Sequence, residues 1–371
     1  MALDQTDRFL KVHFPDLGKQ DVGILEEFQG EESLSQPFLY RLSIFSEEKE
    51  LDPTKIVGKN VEFQVQYNRA EKIPFHGIAL SLTRAQMDQE DTFFRYRLEV
   101  VPRFWFLKFR SDNRIFQEKT ALEIIEAVLK DEKVEFVKKT SATYKKREYC
   151  VQFGESDFDF VSRLMEEEGI FYYFERAEKS HKLVLGDDIK AYQNAKENEP
   201  IFSGDRETAG AADLIEWEQT TEFVTGNYLQ NDDNFQKFWT SNEGKSKGAL
   251  TLKSAQTQEV YEYPAGYDLG DQPETMNDEK QRWPKIRLEE LEVPAEIVRG
   301  ESLCFSWTPG FKFKKDSAEY VLTSVTHRYT DVGGMSAGSA DEPILDERHN
   351  FFTAMKATRV FRPLRVTPPS R

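Results

Sequence analysis

The chain has 371 residues, a formal net charge of -16 from 66 acidic and 50 basic side chains, and 13% aromatic residues. That length gives room for two to three domains with buried cores, and the acidic balance disfavours nonspecific nucleic-acid binding by phosphate neutralisation. No apolar run is long enough to cross a bilayer, and the start, MALDQTDRFL, lacks the basic end and apolar core of a signal peptide, so export by the ordinary secretory route is not expected.

β-signals dominate the first hundred residues. Val61, Phe63, Val65 and Tyr67 alternate with Glu62, Gln64 and Gln66, and Phe94, Tyr96, Leu98 and Val100 alternate with Arg95, Arg97 and Glu99, which predicts strands with one wet face. Further strands are predicted at 8–14, 22–28, 38–45 and 75–85, and Asp52 before Pro53 reads as the cap of a short helical turn. Strands at such short spacing suggest a closed barrel over 1–112. After Pro102, the aromatic residues Phe104, Trp105, Phe106 and Phe109 interleave with Arg103, Lys108, Arg110 and Arg114. They read either as a stacking platform for a sugar or nucleobase or, the favoured reading, as packing of the barrel on the next domain.

From 113 the pattern changes to an α/β middle domain that ends near the polar stretch 194–204 and is drawn here as 113–205. Thr120 and Glu123 form a capping box ahead of Ala121, Ile124, Ile125, Val128 and Leu129 on one helical face. Tyr149, Val151 and Phe153 alternate as a strand that Gly154 should stop. Ser156 then N-caps a helix with Glu155, Asp157 and Asp159 at its positive end, Phe158, Val161, Leu164 and Met165 on one stripe, and Gly169 as its left-handed C-terminal cap. A dense strand at 170–174 should pair with 182–185 across a turn at 178–180.

Strands return at 214–220 and 221–229, opening a second β-rich region, 206–358, that reads as a weak copy of the first. In one, Gly58 precedes strands at 61–67, 75–85 and 92–100; in the other, Gly300 precedes strands at 303–307, 319–329 and 349–357. Polar insertions fall at 234–280 and 331–347, where Gly333, Gly334 and Gly338 argue for a mobile loop, and 359–371 reads as a linker.

Candidate chemistry is sparse. Carboxylates cluster at Glu155, Asp157 and Asp159, at Glu166, Glu167 and Glu168, at Asp187 and Asp188, and at Asp232 and Asp233, any of which could supply the acid and base of a glycosidase. Their positions at helix starts, a solvated helix end and turns favour structural roles. His13, His76, His181, His327 and His349 never approach a metal-binding spacing, and Cys150 and Cys304, the only cysteines, lie in strand-like runs as expected of reduced buried thiols. No G-x-S-x-G elbow or phosphate-cradling glycine run occurs, so no catalytic residue, cofactor or metal is expected.

The run 148–175, EYCVQFGESDFDFVSRLMEEEGIFYYFE, closely resembles the signature of VgrG, the type VI secretion spike family, whose N-terminal half is related to the hub of contractile phage tails. The matching residues are Phe153, Glu155, Ser156, Asp157, Phe158, Phe160, Arg163, Leu164, Glu168, Gly169, Tyr172, Tyr173 and Phe174. Three further runs match in the family's order: YEYPAGYD with Tyr263 and Pro264, TPGFKF with Pro309 and Gly310, and VFRPLRVTPP with Phe361, Arg362 and Pro363. The resemblance implies an α+β, mainly β fold, with two tandem antiparallel β-barrels of phage-tail-tube type flanking a small α/β domain. It implies a non-enzymatic hub that trimerises into a pseudo-sixfold ring, caps the hexameric Hcp tube and carries a needle, a PAAR tip protein and effectors through its C-terminal part. Assembly in the bacterial cytoplasm and secretion by sheath contraction would follow. In the family the FRP run leads into an OB-fold domain and a β-helical spike, which this sequence lacks, so it is expected to be a piece of a longer polypeptide. A baseplate hub of a contractile phage or phage-derived particle is the alternative within this architecture; a carbohydrate-active or carbohydrate-binding β-protein using Asp157, Asp159 or Trp105 is the alternative outside it.

Overall fold

The alternating runs of the first hundred residues become antiparallel strands β1 (Leu10–His13), β2 (Ile24–Ser33), β3 (Gln36–Ser46), β4 (Asn60–Gln66), β5 (Lys72–Ala85) and β6 (Phe94–Val101). In β4, Val61, Phe63 and Val65 are buried while the residues between them keep contact with solvent, as a two-residue period dictates. Asp52 accepts a hydrogen bond from the Thr54 N–H at 3.0 Å, and Pro53 opens the expected helical turn. The computed structural model describes residues 5, 8–18, 22–66, 72–85, 93–177, 180–205, 209–210, 212–233, 242–248, 255–265, 273–331 and 348–365, with only the backbone of 273–278. Tyr67, Thr92 and the glycines at 333, 334 and 338 lie outside them.

The middle of the chain supplies β7 (Ser111–Thr120), α1 (Ala121–Asp131), β8 (Phe136–Lys139), β9 (Lys146–Ser156), α2 (Asp157–Glu168), β10 (Phe171–Arg176) and β11 (His181–Gly186). Both halves of the Thr120–Glu123 capping box form, and Ile124, Ile125, Val128 and Leu129 are fully buried on one face. The strand ahead of α2 does not stop at Gly154. It runs on to Ser156, because Gly154 at φ 63° is absorbed as the extra residue where the β7–β9 register shifts, a bulge that a glycine makes without strain. β10 pairs with β11 as expected, and β11 in turn pairs in parallel with β8.

Beyond it come β12 (Gln193–Asn194), β13 (Ile201–Phe202), β14 (Asp213–Thr221), β15 (Asn227–Gln230), β16 (Gly244–Lys247), β17 (Glu259–Glu262), α3 (Pro273–Glu292), β18 (Glu296–Ser302), β19 (Phe311–Lys315), β20 (Ala318–Thr330) and β21 (Arg348–Lys356). Two expectations fail here. Residues 221–229 are not one strand, since the chain leaves the sheet after Thr221 and Gly226 is seated against the Ala255 carbonyl, where a Cβ would come within 2.6 Å. Residues 303–307 are a buried turn in which Cys304 and Trp307 are fully enclosed; burial on both sides produced an apolar run that only resembles a strand. The polar insertion 234–280 carries β16, β17 and the start of α3, a helix with Pro284 inside it and no apolar stripe at helical spacing to announce it.

The two β-rich regions are repeats of one plan. The first has spatial order β4-β5-β6-β3-β2 and the second β19-β20-β21-β18-β14, the same permutation of five strands taken in chain order, with β15, β16 and β17 inserted after β14 in the second. The register agrees as well. Val100 faces Ala79 and Tyr40 in the first repeat, and Ala354 faces Leu322 and Val298 in the second. The β5–β6 ladder slips between Ala79 and Ser81, and the β20–β21 ladder between Leu322 and Ser324. The β2–β3 ladder slips between Leu25 and Glu27, and the β14–β18 ladder between Leu214 and Glu216. The equivalent of Gly58 is Gly310 rather than Gly300: both are left-handed, at φ 77° and 85°, and donate N–H bonds to Ala79 and Leu322 respectively. The tube-type units are joined edge to edge by β2 and β20 into one curled, half-barrel sheet. No helix among the described residues is long and apolar enough to cross a membrane.

Candidate functional site: the joint between the repeats and the signature region

Ser156 caps α2 as its sequence context demands, accepting the Asp159 N–H at 3.0 Å, with Asp159 receiving the Ser156 hydroxyl in return. Asp157 does more than start the helix. It is fully buried, ion-paired with Arg114, accepts Gln152 Nε2 at 2.7 Å and donates its own N–H to the Arg110 carbonyl at 2.8 Å, so it ties α2 to the β7–β9 ribbon. Arg163, one helical turn and a half further on, reaches Glu155 at 2.6 Å and Glu167 at 3.3 Å. Phe160, Leu164, Tyr172, Tyr173 and Phe174 are buried, whereas Phe153 is 83% exposed.

The C-terminal end of α2 is not a solvated acidic run. Glu168 is 4% exposed and holds Arg147 at 2.9 Å together with Arg282 from α3, because the carboxylates oppose basic side chains brought from distant elements. Gly169 closes the helix at φ 68°, and Arg362 donates to its carbonyl at 2.6 Å and to the Asp187 carbonyl at 2.9 Å while bridging to Glu289 of α3. Gly310 lies flat against the Tyr173 ring, where a Cβ would come within 2.7 Å, and Phe361 donates its N–H to Tyr192. Pro363 borders a cleft shared with Phe158, Tyr172 and Met165. Tyr263, ahead of a cis Pro264, is half-exposed and donates to Asp233, and Arg365 pairs with Glu262 at 2.6 Å. The described residues of four runs scattered over 148–365 are thus drawn toward one region.

A second cluster carried no signal in the sequence. Glu32 of β2, fully enclosed, accepts bonds from Arg176 of β10 at 2.5 Å, from Thr308 at 2.6 Å and from Tyr40 at 2.6 Å, and lies 3.3 Å from His327 of β20. Burial alone would raise its carboxyl, but the Arg176 charge and the His327 and Thr308 contacts overcome that and hold it well below the usual carboxylate range. This knot links the first repeat, the middle region and the second repeat where β2 meets β20. Singly, its residues sit in ordinary alternating positions, so no local pattern marks them.

Several of the remaining candidate groups are engaged in the fold. Asp187 accepts the Ser141 and Ala142 N–H groups and the Tyr144 hydroxyl, Asp188 caps a short turn, and Phe104 packs on Phe158 and Tyr172 while Lys108 sits over the Trp105 ring at 3.5 Å. Phe109, by contrast, is 70% exposed. Cys150 and Cys304 are buried free thiols. His76 and His181 approach Nδ1 to Nδ1 at 3.3 Å; since His181 Nε2 accepts the Arg103 N–H, its Nδ1 carries the proton and donates to His76.

Comparison with known proteins places this geometry. A family model described as phage tail baseplate hub (GPD) matches residues 31–333. The type VI secretion spike proteins VgrG1b and VgrG1a of Pseudomonas aeruginosa are 30% and 29% identical over 99% and 98% of this chain. The chain spans about half the length of these curated relatives, 49% and 56%. Among solved structures, a type VI secretion component of E. coli with structural similarity to the bacteriophage T4 tail proteins gp27 and gp5 has a TM-score of 0.67 at 20% identity, covering 97% of this chain and 80% of its own. A 43 kDa prophage tail protein of Shewanella oneidensis has a TM-score of 0.62 at 10% identity, covering 94% of this chain and 98% of its own. The two tube-type repeats, the signature region between them and the family match over most of the length show that this chain belongs to the phage tail baseplate hub family, with the VgrG spike proteins of type VI secretion as relatives.

Proposed function

We propose that this chain is the hub of a type VI secretion spike, three copies of which form a ring of six tube-like repeats that caps a hexameric ring of the tube protein Hcp. The observation that carries this reading is the duplication: two repeats share one strand order, one register and matching bulges. Three chains then offer six equivalent units, which reconciles a threefold needle with a sixfold tube. On this reading 1–112 and 206–358 are the tube-like domains, 113–205 braces them and 359–371 leads toward the needle. The signature residues hold that brace together and are not catalytic; Asp157 and Glu168, the best-placed carboxylates, are occupied by arginines. The chain works by rigidity, is assembled in the bacterial cytoplasm and leaves by sheath contraction, with the tip PAAR protein and effectors carried by the part of the relatives beyond this match.

Electron microscopy of the protein extended through its spike, mixed with Hcp hexamers, tests the proposal. Threefold rings seated end-on on the hexamer are expected; particles that never stack on the tube ring would refute it. The family description and the prophage tail likeness favour a second reading, a baseplate hub of a contractile phage or phage-derived particle. Stacking on a phage tube ring in place of Hcp would select it.

A further inference from the structure

The equivalence of the repeats leaves two strand edges unmatched. On one side β20 takes β19 along its first half and β2 along its second, with Gly30 opposite His327 and Ser33 opposite Ser324. Its counterpart β5 takes β4 along its first half, but among the described residues no strand pairs that side of 81–85. The counterpart of β2 is β14, whose outer edge is covered by β13 only at Asp213 and Leu214, leaving 216–221 likewise without a strand. Exposure follows pairing. Gly30, Glu32, Val325 and His327 are buried in the internal joint, whereas their equivalents Gln219, Thr221 and Arg84 are exposed and Leu82 is half-buried.

We infer that a second copy of this chain lays the outer edge of its β14 along 81–85 of β5, antiparallel and in the register of the internal β2–β20 joint. Gln219 then stands opposite Arg84, Thr220 opposite Thr83 and Thr221 opposite Leu82. The two edges lie on different repeats of one chain, so each copy offers both a donor and an acceptor edge, and the contact is head-to-tail and able to close into a ring. Charge agrees with the pairing. The face of β14 that carries Thr220 also carries Glu216 and Glu218, and Arg97 and Arg95 flank Thr83 and Ala85 on that face across β6. The assignment deepens the hub reading by naming the edges through which copies join.

Cross-linking tests it in the 371-residue chain. Residues directly opposite in an antiparallel pair have Cα atoms about 4.5–5.5 Å apart, within reach of a disulfide. Thr83→Cys/Thr220→Cys, oxidised at high micromolar concentration, is expected to run as reducible covalent multimers ending at three copies. Thr220→Cys/Arg84→Cys, with sulfurs on opposite faces, and each single variant should cross-link at least ~10-fold less. Circular dichroism matching the unaltered chain shows that each variant folds. Cross-linking that ignores register, or none from a folded variant, whether sedimentation finds it multimeric or monomeric, overturns the assignment. Stacking on Hcp, scored separately on the unaltered protein, distinguishes the two proposals: stacking without register-specific cross-links keeps the hub and discards these edges, and cross-links without stacking do the reverse.

Discussion

At the scale of single residues, the informative groups are charged or titratable side chains enclosed where distant elements meet. Burial, with His76 second, pushes the His181 imidazole down to about 3 from its ordinary 6.5. Between those values the unfolded chain holds a proton that the folded chain does not, so this group's stability is complete above pH 6.5 and is lost as pH falls toward 3. His181→Gln should therefore reduce the loss of stability between pH 7 and 5 by about 2 kcal/mol in denaturant titrations; an unchanged pH slope would contradict the half-buried neutral pair. Glu32 sets the opposite problem, because its removal strands a buried cation. Glu32→Gln is expected to cost ~3–5 kcal/mol, and adding Arg176→Met should restore much of that, since an apolar replacement removes the uncompensated charge. Urea unfolding of the two single variants and the double variant measures the coupling.

At the scale of elements, glycines separate local conformation from contact. Gly154 and Gly310 both have left-handed backbones, at φ 63° and 85°, yet only Gly310 has a neighbour, the Tyr173 ring, where a Cβ would sit. Gly154→Ala should cost only the ~1–2 kcal/mol of the conformation itself, whereas Gly310→Ala should cost ~3 kcal/mol or more because the ring must also move. Thermal denaturation ranks them, and equal costs would deny the close approach. Elements differed in how readable they were. α1 and α2 announced themselves through Thr120, Glu123, Ser156 and Gly169, whose capping bonds are local and survive any tertiary context. α3 did not, because its buried residues, Ile286, Leu288 and the ion pair Arg287–Glu290, follow the surfaces around it rather than a stripe.

At the scale of the whole molecule, the repeats share a ladder of hydrogen bonds through β2 and β20 and the buried Glu32 carboxylate, which meets His327 and Thr308 of the second repeat. Neither half can open without exposing the other's Phe28, Tyr329 and His327, which stack at the joint. One cooperative transition is therefore expected in calorimetry, with Glu32→Gln shifting it to lower temperature as a unit. Two resolved transitions would mean that the repeats are independent.

The sequence alone carried what is written in local periodicity: the strand alternation, the two capped helices, the two β-rich regions around an α/β middle, and the motif runs that pointed to the hub family. Tertiary structure alone decided which edges meet. Strand order and register depend on partners hundreds of residues away, so the β2–β20 joint, the equivalence of Gly58 with Gly310 and the burial of Glu32, Asp157 and Glu168 left no trace in neighbouring residues. A carboxylate in a polar run reads as solvated until the fold brings an arginine to it, and a strand edge reads as any other until its neighbour is known.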